Sequence, residues 1–164
     1  MKELFDVVDR HDKVIGTAFR EEVHGNPQKI HRVSHVLVFN KQGRLFLQKR
    51  SLSKDVQPGK WDTSVGGHLD SGEDYLSAAE REMAEELGIE GAPLFFLYKY
   101  LHSNNYESEI VSTFETRWDG PIHILQAEID EGKFWPFKEI ENSIDKGIFT
   151  PNFIDEFTRY KEIR

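Results

Sequence analysis

Between Gly67 and Ile89 the chain reads GHLDSGEDYLSAAEREMAEELGI, and this stretch constrains the fold more than any other. Leu76, Ala79, Met83 and Leu87 recur at three- and four-residue steps, so a helix from about Asp74 to Leu87 is expected to dock on a sheet through that stripe. Gly88 supplies its stop. Glu82, Glu85 and Glu86 stand at i, i+3 and i+4 on a second face, whose centre falls roughly 100° from the stripe at about 100° per residue. These acids are therefore expected at the rim of the core rather than wholly in bulk water. Like charges at this spacing cost roughly 0.2 to 0.5 kcal/mol on an exposed helix, and more where water is partly excluded.

A divalent cation removes that cost. Oxygen-only ligands at this density suit Mg²⁺ or Mn²⁺, which share their remaining positions with waters and phosphates. Such an ion polarises a diphosphate and acidifies a bound water, whose proton a neighbouring carboxylate can take. Gly66, Gly67 and Gly72 let backbone approach phosphate closely or adopt positive φ. The plain alternative is an amphipathic helix with a solvated acidic face.

The rest of the pattern mixes strands and helices. Leu4 to Val8 and Val14 to Phe19 read as an N-terminal hairpin, and Val33 to Phe39 with Leu45 to Gln48 as a second one. A polar loop from Arg50 to Lys60 follows, then a short strand near Thr63 to Val65. Leu94 to Leu101 and Glu109 to Trp118, rich in aromatic and β-branched residues, read as strands. A brief helix is expected at Glu139 to Lys146, and an amphipathic one from Asn152 through Phe153, Ile154, Phe157 and Tyr160. This order predicts an α/β fold, an α/β/α sandwich around a mixed sheet.

With 164 residues the chain matches one ordinary domain, so residues 1–164 are expected to form a single one. The absence of cysteine excludes disulfides, thiolate metal sites and a thiol proton donor. A net charge of −8 argues against long nucleic acid as a partner, but not against a small phosphorylated molecule bound through a metal. The longest apolar run, Leu94 to Tyr98, is too short for a bilayer, and the N-terminus lacks the plan of a signal peptide, so no membrane partner and a cytoplasmic location are expected.

The Gly67–Ile89 segment resembles a complete Nudix box, with Gly67, Glu73, Arg81, Glu82, Met83, Glu85, Glu86, Gly88 and Ile89 filling every specified position. The resemblance implies a Nudix-type sandwich, metal on Glu82, Glu85 and Glu86, and a Glu73–Arg81 pair that braces the loop against the helix. Outside the box, Phe5 to Arg117 is similar to the isopentenyl diphosphate isomerases, relatives that share the fold. Their metal site draws on three histidines and a Glu-x-Glu pair, and His24, His31, His68, Glu107 and Glu109 stand at the matching positions. Those imidazoles are read either as ligands of a second divalent ion or as including one that bonds phosphate. Glu107 and Glu109, two apart at a strand start, would point to one side of the sheet, and one of them is a candidate general base, Glu109 being counted with the catalytic acids. Arg20, Arg50 and Lys54 match cations that hold the isomerase diphosphate. His11, His35, His102 and His123 are read as ordinary surface histidines, and Trp61 as either a nucleobase platform or core.

The isomerase likeness stops where isomerase chemistry lives. The isomerase pattern has its catalytic cysteine where this chain has Gly66, and it departs from the full box around Glu82, which this chain keeps. Both differences favour hydrolysis of a diphosphate linkage in a nucleoside diphosphate or a compound linked through one. Isomerisation by a cysteine-free route and a non-catalytic nucleotide sensor are the rivals. A homodimer through the N-terminal hairpin is compatible with the sequence.

Overall fold

The computed structural model describes residues 2–164. Its elements run β1 (Leu4–Val8), β2 (Val14–Phe19), α1 (Arg20–Val23), β3 (Ile30–Phe39), β4 (Leu45–Arg50), β5 (Trp61–Asp62), β6 (Val65–His68), α2 (Tyr75–Leu87), β7 (Phe95–Ser103), β8 (Ser108–Arg117), β9 (Ile129–Trp135), α3 (Phe137–Ser143) and α4 (Pro151–Glu162). Together the strands form one nine-stranded mixed sheet. Strand β3 is its axis. It runs parallel to β8 from Ile30↔Ser108 to Phe39↔Arg117, while its other edge is shared among β1, β6 and β4, all antiparallel.

Alternation along β3 and β4 divides the core into two layers. Val36, Val38 and Phe46 pack under α2 with Ala79, Met83 and Leu87. Leu37, Phe39, Leu45 and Leu47 point the other way, against Ile140, Phe153 and Phe157 of α3 and α4. A strand buried on both faces reads as a continuous apolar run, as Val36 to Phe39 does. The expected α/β/α sandwich is therefore observed, and so is the N-terminal hairpin, with Leu4↔Phe19 as its first pair. In the hairpin turn Asp12, at φ 65°, takes hydrogen bonds from Arg32 (2.8 Å), Lys99 (2.8 Å) and Tyr75 (3.0 Å), which ties the turn to β3, β7 and α2.

Three expectations need correction. The second hairpin exists only at Phe39↔Leu45, because β3 is engaged by β8 and β6 while β4 turns away to pair with β9 and β5. Strand β9 was not expected at all. Its Gly132 is required by contact: a Cβ there would lie 2.3 Å from Cζ of Phe46. In α2, Leu76 leaves the stripe and is 45% exposed, while Ala78 joins Ala79, Met83 and Leu87 in the interior. The helix is rolled so that Glu86 is carried into the buried side.

The ends of α2 follow local chemistry. Asp74 accepts from the Ser77 N–H at 2.8 Å, and Gly88 closes the helix at φ 68°. On the opposite layer, Thr150 caps α4 by accepting from the Phe153 N–H at 3.0 Å. No helix among the described residues is long and apolar enough to cross a membrane.

Candidate active site

One cavity of about 820 Å³ opens where the short strand β6 forms an edge beside β3. Pairing sets which side each residue takes. Gly66 lies opposite His35, and His68 opposite Val33, on the α4 side, whereas Gly67 lies opposite Ser34 on the α2 side. The cavity thus gathers groups from both layers. Of the residues singled out in the sequence, Arg20, His24, Arg50, Lys54, Gly66, Gly67, His68, Arg81, Glu82, Glu85, Glu86, Glu107 and Glu109 line it. His31 and Glu73 do not line it.

The acids of α2 occupy three different environments. Glu86 is 5% exposed and accepts one hydrogen bond, from Gln48 Nε2 at 2.6 Å. Burial, and then Glu82 beside it, raise its carboxyl well above the ordinary range. Burial also raises Glu82, despite its contacts with Glu86 and Arg81. The Glu85 side chain is 55% exposed at the rim, 3.5 Å from Arg81. Glu82 needs the space that Gly67 leaves, since a Cβ at that position would lie 2.2 Å from the Glu82 carboxyl carbon. Arg81 holds Glu73 by two bonds of 2.9 and 2.8 Å, reaches the His68 carbonyl at 3.2 Å and also bonds Glu82 at 2.8 Å. Its pairing with Glu73 first, then with Glu82, keeps the guanidinium charged.

A second cluster lies across β6. Donor atoms of His24, His31 and His68 lie within 4.8 Å of one another, as do those of His31, Glu107 and Glu109. His31 is 0% exposed, and neither of its ring nitrogens has a hydrogen-bond partner among the described residues; its Nε2 stands 3.5 Å from Glu109. A buried imidazole with an unpaired nitrogen close to a carboxylate has the chemistry of a cation ligand. Burial keeps His24 and His68 below their ordinary values, hence neutral and able to ligate. Glu107 is pushed up to about 8, first by burial and then by Glu109. Burial alone would raise Glu109 too, but contact with His31, and then the neighbouring His35, outweigh it and hold that carboxyl at about 2. Asn152 donates to Glu109 at 3.0 Å.

The predicted cations face the cavity but already have partners: Arg20 with Glu3 at 2.8 Å, Arg50 with Asp62 at 3.6 Å, and Lys54 with Glu128 at 3.7 Å. Trp61 is core, edge-on to Trp135 with ring centroids 5.2 Å apart, and so offers no platform to a base. His11 and His123 are exposed as expected. His35 and His102 are not surface residues: each is buried, with Nδ1 2.8 Å from Glu156 and Asp155 respectively. His35, Gln48, Tyr106 and Asn152 line the cavity, and none of them was expected at the site from the sequence. For His35 the signal was there, since strand alternation puts it on the same face of β3 as His31.

Residues 29–157 match the NUDIX domain family. An uncharacterized Nudix hydrolase of Yersinia pestis is 33% identical over 92% of this chain and 81% of its own length. An isopentenyl-diphosphate Delta-isomerase of Photorhabdus laumondii is 34% identical over 82% of this chain and 77% of its own. Among solved structures, DR0079 from Deinococcus radiodurans superposes with a TM-score of 0.85 at 28% identity, covering 96% of this chain and 98% of that one.

Proposed function

The chain belongs to the Nudix hydrolase family, and from that premise we propose that it hydrolyses the diphosphate linkage of a nucleoside diphosphate or of a small molecule linked through one. The observation that carries the reading is the under-satisfied state of Glu86, a buried carboxyl with a single donor and a second acid beside it, on a cavity that also presents Arg20, Arg50 and Lys54. Glu82, Glu85 and Glu86 would hold Mg²⁺ or Mn²⁺, and the unpartnered ring nitrogens of His31 make a second divalent ion fit His24, His31, His68, Glu107 and Glu109. When bound, such ions neutralise the phosphates and lower the pKa of water near phosphorus.

The chain's own groups do the rest. Arg50 and Lys54 compensate the charge of the diphosphate, and Arg20 closes one side. Gly66 and Gly67 let the substrate phosphates lie against backbone. Glu109, which lines the cavity and is oriented by Asn152, is our choice for the group that takes a proton from the attacking water. Its oxygen adds to phosphorus, the bridging P–O bond breaks, and the leaving phosphate carries the electron pair away. Glu73 and Arg81 brace the end of β6 at His68 and the turn that follows it. Tyr106 at the rim, tilted against His24 with ring centroids 5.3 Å apart, offers a face to a base, and the cavity's volume suits a nucleotide-sized ligand.

The test is a panel of nucleoside diphosphates, nucleotide sugars, dinucleotides and isopentenyl diphosphate, incubated with Mg²⁺ and followed by ³¹P spectra. Cleavage at a P–O–P bridge in at least one nucleotide is expected, with isopentenyl diphosphate left as its original isomer because Gly66 supplies no proton donor. Conversion to dimethylallyl diphosphate with no nucleotide cleaved would replace this reading by the isomerase one. Tight binding without any turnover would replace it by the sensor.

A further inference from the structure

We infer that His35 contacts the substrate directly, its Nε2 donating to a phosphate oxygen at the cavity floor; this rests on the diphosphate-hydrolase reading. His35 sits on the pocket-facing side of β3 and is 5% exposed. Nδ1 lies 2.8 Å from Oε1 of Glu156, a carboxyl with no exposure. Thr113 donates to the same carboxyl at 2.8 Å, Tyr100 at 3.3 Å, and Tyr98 also bonds it. Surrounded by these donors, Glu156 acts wholly as an acceptor, so Nδ1 carries a hydrogen and Nε2 is the nitrogen left for the cavity. Nε2 has no hydrogen-bond partner among the described residues.

Gly66 is what leaves that nitrogen bare. A Cβ at position 66 would lie 3.2 Å from Cδ2 and 3.4 Å from Nε2 of His35, over the ring edge in question. Thr63 lines the same cavity, and its Oγ1 is buried without a partner. A ring nitrogen at the cavity edge, backed by a buried ion pair, suits a ligand rich in acceptor oxygens. Burial disfavours the imidazolium, yet pairing with Glu156 outweighs it and raises His35 above its ordinary value. A phosphate anion at Nε2, opposite the Glu156 carboxylate at Nδ1, favours the doubly protonated ring, in which both nitrogens donate.

His35→Asn separates the two sides of the ring, because the Asn amide can still donate to Glu156 while nothing replaces Nε2. Calorimetry with imidodiphosphate and Mg²⁺ provides a binding readout that does not depend on turnover. Expected is a Kd weakened by about 10- to 100-fold, the scale of one hydrogen bond to a charged group, with a matching rise in KM for any hydrolysed nucleotide and Mn²⁺ affinity unchanged. In the parent protein the ¹⁵N resonance of His35 Nε2 should move when imidodiphosphate is added. His35→Gln, whose longer side chain can bring an amide donor near the position of Nε2, should recover part of the lost affinity relative to His35→Asn and serves as the second variant if that one fails to fold. Equal imidodiphosphate binding by the parent and a folded variant, with a stationary Nε2 resonance, would reduce His35 to a core ion pair. Failure of the parent to bind imidodiphosphate or cleave any nucleotide would instead overturn the hydrolase reading itself.

Discussion

Replacing Glu86 by Gln is expected to lower kcat by about 10³-fold or more, beyond the ~10- to 100-fold typical of groups that only orient a metal's ligands. The folded protein should be at least as stable as the parent. Glu86 lies buried on α2 with one donor, Gln48 at 2.6 Å, and an amide oxygen at the same place still accepts that bond. What the substitution removes is a charge that burial and Glu82 both oppose. In the apo protein that removal is a gain, whereas in the loaded enzyme it deletes a ligand. The opposite signs for turnover and stability distinguish this role from ordinary packing, and steady-state kinetics with thermal unfolding in EDTA measures both. Unchanged kcat in a folded Glu86→Gln protein would remove Glu86 from the machinery.

Divalent cations should raise Tm strongly, and more so at higher pH. The folded state holds Glu82, Glu86 and Glu107 above the ordinary carboxylate value, Glu107 at about 8. Between that ordinary value and the raised one, these carboxyls bind more protons in the native protein than in the unfolded chain, so their contribution to metal-free stability falls as pH climbs through this window, whereas His24 and His68, held below 6.5, give the opposite slope in its acid half. Glu109, held down at about 2, has the opposite sign, and its contribution is lost only in strong acid, outside the window. Saturating Mg²⁺ or Mn²⁺ at about 100 times Kd adds about 2.7 kcal/mol, which for a chain of this size is a shift of roughly 5 to 10 °C. Scanning calorimetry at pH 6 and pH 8, with EDTA and with metal, should show the larger metal increment at pH 8. A Tm that ignores both metal and pH across this range would mean that these carboxyls are not the cation's seat.

What could be read from sequence was set by period and punctuation. Helix α2 declared itself through Asp74, Gly88 and the spacing of Ala79, Met83 and Leu87, and its acids follow from that register. The same register misled at Leu76, since a single helical face does not say how far the helix rolls on its sheet, and two buried alanines at 78 and 79 drew it round. Pairing partners were the least legible feature. Strands β3 and β4 look like a hairpin because they are neighbours in sequence, yet the ten-residue parallel ladder to β8 is a long-range choice that no local pattern encodes. Strand β9 escaped because its apolar residues are broken by Asp130, Glu131, Gly132 and Lys133. Its glycine makes sense only once Phe46 is seen against it.

At the site, His24, His31, His68, Glu107 and Glu109 come from separate segments, and only the likeness to isomerases brought them together beforehand. No likeness pointed to His35. A histidine in a strand carries no sign of its partner until α4 brings Glu156 across the sheet.

The account stands on cations gathered at the boundary between α2 and β6. Anomalous scattering from a crystal grown with Mn²⁺ tests that most directly. The predicted map has a peak at coordination distance, about 2.0 to 2.5 Å, from carboxylate oxygens of Glu82 and Glu86, with a second among His24, His31, His68 and Glu109. A map with no peak at either place, and Glu86 still hydrogen-bonded to Gln48 alone, would contradict it.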